Sequence, residues 1–163
     1  MPWNQIVTDY GELIYRAAYR VVRHDGDAED VTQEVLLEAY RKFQRGGGIP
    51  EPALLRRMAT VRAIDRLRRR KETKPLDDQL AENSVMASAF EQEEIGNQIR
   101  RAIGRLPQRD AECFVLRYVE GMSNPEIALA LQISPTAVTT ALHRARIKLR
   151  SELGRQIAIE ELT

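Results

Sequence analysis

Between Arg56 and Lys74 the chain carries Arg56, Arg57, Arg62, Arg66, Arg68, Arg69, Arg70, Lys71 and Lys74, opposed only by Asp65 and Glu72. Such a block calls for a polyanion, because each phosphate that a cation neutralises releases condensed counterions. A second constellation lies between Gly121 and Leu149. Ser123-Asn124-Pro125-Glu126 has capping-box spacing, and Ser134-Pro135 caps and starts a further helix after a tight turn at Gln132-Ile133. Val138, Leu142, Ala145 and Leu149 form the apolar stripe of that helix. Thr136, Thr139, Thr140, His143, Arg144, Arg146 and Lys148 are left on its exposed faces. A short helix, a turn and a longer helix with a polar face make a helix-turn-helix, whose second helix fits a DNA major groove. An ordinary helical hairpin explains the helices, but not two caps, the small Ala128 at the helix contact and an outer face that runs from uncharged to basic.

Other chemistries lack their residues. There is no Gly-rich phosphate loop. Cys113 is the only cysteine, which excludes an intrachain disulfide and a Cys-rich zinc site. His143 has only His24 as a second histidine, so metal ligation is not expected. Asp25, Asp27 and Glu29 do not begin a calcium loop, because its sixth position would be Asp30 instead of Gly and its twelfth Leu36 instead of Glu. Asp65 among arginines reads as an ion-pair partner. No catalytic residue and no cofactor are therefore expected. No apolar run approaches the ~20 residues that cross a bilayer, and the first residues lack a secretion signal. A cytoplasmic location without membrane insertion follows as the expectation.

The elements that must position these groups read as helices throughout, with no period-2 strand. In 163 residues, 43% of them apolar, the expectation is an all-α chain of two small helical domains joined by a linker. The boundaries fall at 1–74, 75–89 and 90–163. A first helix is expected over about Asn4–Val22, broken by His24-Asp25-Gly26-Asp27, and a second begins near Asp27. Gly46-Gly47-Gly48 and Pro50-Glu51-Pro52 form a loop before a third helix over about Ala53–Lys71. From Pro75 to Gln98 there is no Lys or Arg, while Asp77, Asp78, Glu82, Glu91, Glu93 and Glu94 are acidic, so the net charge of +1 conceals a basic block beside an acidic one. The acidic linker is expected to stay solvated or to lie against a basic surface. Leu106-Pro107 starts the helix that carries Cys113, Leu116 and Val119 and stops at Gly121.

Residues Ile103 to Leu149, with LP, EGMSNPEIA and HRARIKL as their marks, resemble the promoter-binding C-terminal domain of extracytoplasmic-function sigma factors of the sigma-70 family. AEDVTQEVLLEAY resembles the sigma helix that docks on polymerase, and LLRRMATVRAIDRLRRRK the segment that meets the −10 element. The resemblance implies a non-enzymatic initiation factor. Its partners would be core RNA polymerase, through the β′ clamp and β flap, promoter DNA and an anti-sigma factor. It places Asp30, Gln33, Glu34 and Glu38 at the clamp, with Val35 and Leu36 adding apolar area. Asp27 and Glu29 are better read as favourable charges at a helix start. It places Arg62, Arg66, Arg69, Arg70 and Lys71 at the −10 element, and Thr136, Thr139, Thr140, His143, Arg144, Arg146 and Lys148 at the −35 element. Arg144 suits a guanine edge, Thr139 and Thr140 suit thymine methyls or phosphates, and Arg146, Lys148 and Arg150 suit the backbone.

Two positions depart from the family pattern. Leu54 stands where members usually carry Trp, and Val61 where many carry Asn, in the segment that captures an unstacked base. Val61 offers no hydrogen bond and Leu54 no flat platform. The alternative reading is a helix-turn-helix regulator that does not bind core polymerase. It explains Gly121 to Leu149 and leaves the arginine-rich third helix and the acidic helix without a purpose. Residues 156–163 are either an extension of the last helix or a contact for an inhibitor.

Overall fold

The computed structural model describes residues 3–48, 50–73 and 87–154, with side chains for 3–48, 50–70 and 94–154. Of the linker expected over 75–89, residues 75–86 lie outside the described residues, as do the Lys71 side chain and residues 156–163, while 87–89 are already the start of a helix. Among the described residues there are seven α-helices and no strand.

Helix α1 (Trp3–Val22) buries Ile6, Ile14, Ala17, Ala18, Val21 and Val22 on one side. It ends where Arg23 takes a left-handed φ of 51°. Helix α2 (Asp25–Gln44) then starts earlier than the acidic residues suggested. The reason is His24, whose Nδ1 accepts the Asp27 backbone N–H at 3.1 Å and serves as the cap. Gly26 consequently sits inside the helix instead of breaking the chain. Tyr15 donates its hydroxyl to Asp25 at 2.7 Å, fastening α1 to the start of α2, and this bond raises the phenol pKa to about 12.

Helix α3 (Pro52–Thr73) does more than complete the first domain. It packs against α1 and α2, and also against α4 (Ala87–Arg105) and α5 (Gln108–Tyr118). The apolar cluster that holds Ile14, Val22, Val31 and Ile64 continues through Leu67 into Ala102, Ile103, Leu106, Phe114 and Leu149. The two domains expected from the sequence are thus joined by one apolar cluster that spans both. Gly104 lies at this crossing, where an added Cβ would stand 3.4 Å from the Leu67 carbonyl, an ordinary packing distance. A cluster that spans both domains removes more apolar surface from water than two separate domains would.

The helix-turn-helix has its own cluster, formed by Cys113, Leu116, Met122, Ile127, Ala128, Leu131, Val138, Ala141 and Leu142. Pro107 stands at the N-cap of α5, one place before its first turn. Helix α6 (Asn124–Leu131) is closed by the expected capping box: Ser123 Oγ accepts from Glu126 N–H at 3.2 Å, and the Glu126 carboxylate accepts from Ser123 N–H at 3.3 Å. Gln132 makes the tight turn in a left-handed conformation. Ser134 Oγ accepts from Ala137 N–H at 3.1 Å and opens α7 (Pro135–Leu153).

Candidate nucleic-acid interface

Helix α7 buries Val138, Ala141, Leu142, Ala145, Leu149 and Leu153. That stripe turns Thr136, Thr139, Thr140, His143, Arg144 and Lys148 outward, with Arg146 half-buried. The cations are not equally placed. Arg146 donates through Nη1 to the Tyr118 hydroxyl at 2.8 Å, and Lys148 through Nζ to the Arg105 carbonyl at 3.0 Å, so both are drawn toward the supporting helices. Arg144 leans on Asp110, donating Nη2 at 3.1 Å. Thr139 donates its hydroxyl back to the Pro135 carbonyl at 3.1 Å, which leaves its lone pairs and methyl for a partner.

The basic face of α3 meets the acidic face of α2 directly. Arg62 donates to Glu38 at 2.8 Å and to Glu34 at 3.3 Å, and these carboxylates raise the guanidinium pKa above its ordinary value. Arg66 pairs with Glu34 and lies 3.7 Å from Asp30. Thus Asp30, Glu34 and Glu38, expected to meet polymerase, are the partners of Arg62 and Arg66, expected to meet DNA. Gln33 is exposed beside them and Arg69 is exposed further along α3. Arg70 is tied inward, donating through Nε to Asp27 at 3.0 Å and through Nη1 to the Val22 carbonyl at 2.8 Å. Asp27 therefore does more than favour a helix start, because it anchors the end of α3. Val35 is fully buried and gives no area to a partner; the exposed apolar side chain of that face is Leu37, at 49%.

Several contacts had no visible signal in the sequence. Arg68, read as part of a basic run, donates Nε to the Gly104 carbonyl at 3.2 Å, Nη2 to the Leu106 carbonyl at 2.6 Å and Nη1 to Gln108 at 2.5 Å. It caps the last carbonyls of α4 from the other half of the molecule. Arg20 makes a second bridge between the halves, to Glu120 at 2.9 Å. Only the first-turn position of Asp110 in α5 hinted at a role for that carboxylate. Cys113 is buried among apolar groups, which push its thiol pKa up to about 11 and keep it protonated and unreactive at neutral pH.

Residues 6–73 match Sigma-70 region 2, and residues 96–149 match Sigma-70, region 4. The chain is 32% identical over 170 residues to the ECF RNA polymerase sigma factor SigW of Bacillus subtilis, covering 91% of this chain and 87% of the relative. The chain belongs to the extracytoplasmic-function sigma factors of the sigma-70 family. SigE of Mycolicibacterium smegmatis, also an ECF RNA polymerase sigma factor, is 30% identical over 159 residues, and this chain spans 62% of its length. In fold the chain is similar to CnrH, solved in complex with the cytosolic domain of CnrY, with a TM-score of 0.57 at 23% identity. That likeness covers 95% of this chain and 89% of CnrH. It is also similar to the sigma factor RpoE of Bartonella quintana, solved with the anti-sigma factor NepR, with a TM-score of 0.55 at 16% identity and coverage of 94% and 98%. Region 2 of this sigma factor thus comprises most of α1 and all of α2 and α3, and region 4 the helices from within α4 into α7. No helix among the described residues is long and apolar enough to cross a membrane.

Proposed function

We propose that this sigma factor directs promoter-specific initiation by binding core RNA polymerase and two promoter elements, from two working units over 1–74 and 90–163 with 75–89 as their linker. The acidic face of α2, with Asp30, Gln33, Glu34 and Glu38 around the exposed Leu37, meets the β′ clamp. The second unit meets the β flap. Arg62, Arg66, Arg69, Arg70 and Lys71 serve the −10 element, and the α7 face from Thr136 to Lys148 serves the −35 element. The protein is not an enzyme: polymerase does the chemistry, and the sigma factor supplies position. It works in the cytoplasm with polymerase, and an anti-sigma factor holds it inactive.

The observation that carries this reading is the outward face of α7, where Thr136, Thr140 and His143 stand at helical spacing above a fully buried stripe. A polar face held by rigid packing and two capped helices suits base-edge reading, while the arginines of α3 suit phosphate. The test adds the purified chain to core polymerase and a library of promoter-like DNA, with sequencing of run-off transcripts and a core-binding assay in parallel. Transcripts sharing an upstream motif are expected. Absence of core binding would sink the reading in favour of a helix-turn-helix regulator.

A further inference from the structure

Asp110 is an acidic side chain in an unusual place. Its carboxylate is only 4% exposed, yet it stands in the first turn of α5 against the one strongly exposed arginine at the centre of the α7 face, Arg144, whose side chain is 59% exposed. A buried carboxylate requires compensation, since desolvation of an unpaired charge is costly. The positive end of the α5 dipole supplies part of it. Arg144 supplies the rest.

The way Arg144 does so matters for DNA. Asp110 Oδ1 accepts from Arg144 Nε at 3.4 Å and from Nη2 at 3.1 Å. These donors form the side edge of the guanidinium. The plane carries five N–H groups in a fixed fork, so one hydrogen on Nη1 and the second on Nη2 remain side by side on the end edge. An end edge of that kind pairs in bidentate fashion with O6 and N7 of guanine. Thr140 lies one turn before Arg144 on the same helix face and His143 beside it, and all three are exposed. Arg146 and Lys148 give donors to Tyr118 and to the Arg105 carbonyl, and so are aimed elsewhere.

We propose that Asp110 is a positioning residue for base reading: it holds Arg144 so that the end edge of its guanidinium recognises one guanine in the −35 duplex. An unheld arginine samples many rotamers and loses that freedom on binding. Asp110 removes most of this loss before DNA arrives and fixes the direction of the fork, which is what converts a cation into a reader of one base. The proposal rests on α7 being the −35 helix.

The test is selection of a randomised duplex by the full chain bound to core polymerase, for wild type and variants. Arg144→Ala erases a guanine preference at one base pair, a discrimination of about ten-fold or more. Asp110→Asn reduces the preference at that same pair to within about three-fold and leaves the other pairs as they were. Asp110→Glu keeps the charge, lengthens the arm by one methylene and gives the same single-pair loss. Melting curves accompany each variant; should Asp110→Asn fail to fold, Asp110→Glu and Arg144→Lys, which keeps the charge without the fork, carry the comparison. Full discrimination in both Asp110 variants at the pair erased by Arg144→Ala would reduce Asp110 to a packing partner and overturn the proposal. A uniform loss at every pair in Arg144→Ala would make Arg144 a phosphate contact, with the same consequence. If Arg144→Ala and Thr140→Ala together leave the selected motif intact while core binding persists, the assignment of α7 to the −35 element itself falls, and the proposal falls with it.

Discussion

Arg62 donates Nη2–H to the Glu38 carboxylate at 2.8 Å, from the middle of α3 to the outer face of α2. Together with the bonds to Glu34, this makes one surface out of two groups that the proposed function assigns to different partners. The side chains are more than a third exposed on the carboxylate side. Ion pairs of that exposure contribute about 0–1 kcal/mol each. They are cheap to exchange, so a basic polymerase surface can take Glu34 and Glu38 while phosphates take Arg62 and Arg66.

That exchange is measurable without polymerase. Glu34→Gln with Glu38→Gln removes the internal competitors of two guanidiniums. The isolated variant is expected to bind single-stranded DNA more tightly than wild type, with a logarithmic salt dependence steeper by about 1.4, at ~0.7 per phosphate on a single strand. Fluorescence anisotropy across a salt series checks it. Equal slopes for variant and wild type would mean that the carboxylates do not mask the arginines.

The Arg68 bonds to the Gly104 and Leu106 carbonyls join region 2 to region 4. Arg68→Ala combined with Arg20→Ala removes both polar bridges while leaving the apolar contact around Leu67. The isolated protein is then expected to expand, its radius of gyration rising by on the order of 2–5 Å above the ~15 Å of a compact chain of this length. Small-angle X-ray scattering reads this directly. An unchanged radius would assign the docking to the apolar contact alone.

The contrast between these residues shows what was legible in the sequence. Apolar stripes at helical spacing, such as Val138, Leu142, Ala145 and Leu149, were readable because their period is local, and all four are buried as expected. So were the caps at Ser123 and Ser134, which need only neighbours in sequence. Arg68 looked like its neighbours in a basic run, and nothing local distinguishes a guanidinium left for DNA from one that caps a helix elsewhere in the fold. The shared cluster was hidden for the same reason, since nothing near Leu67 in sequence announces that it packs in one cluster with Ala102, Ile103 and Leu106. On α7, Thr136, Thr140 and His143 were legible as a face, whereas the support of Arg144 by Asp110 required the tertiary contact.

The capping box at Ser123 fixes where α6, the first helix of the helix-turn-helix, begins. Ser123→Ala leaves the Glu126 N–H without its acceptor and weakens the reciprocal bond. A loss of about 1 kcal/mol in unfolding free energy is expected, within the usual range for such caps. Urea denaturation followed by circular dichroism is the measurement. A change below ~0.3 kcal/mol would show that packing of Ile127 and Leu131 suffices to hold the helix.

Under the proposed function, Val61 stands where strand opening would be limited. It lies half-buried on α3, next to Thr60, whose fully buried hydroxyl has no hydrogen-bond partner in the structure. Leu54, the other departure from the family pattern, is half-buried and packed on the core, so it is held in place and presents no flat platform. An unstacked base meeting this part of α3 finds apolar contact and few donors. Val61→Asn supplies an amide with two donors and one acceptor. Open-complex formation on a cognate promoter is expected to rise by roughly three- to ten-fold, the gain from about one additional hydrogen bond. Permanganate reactivity of unpaired thymines reports it, with the melting temperature of the variant as a control on folding. An unchanged level in a well-folded Val61→Asn protein would show that Val61 does not limit melting. Base capture would then belong to the loop around Gly46 and Gly48, both of which hold positive φ angles of 80° and 72° with open space where a side chain would stand.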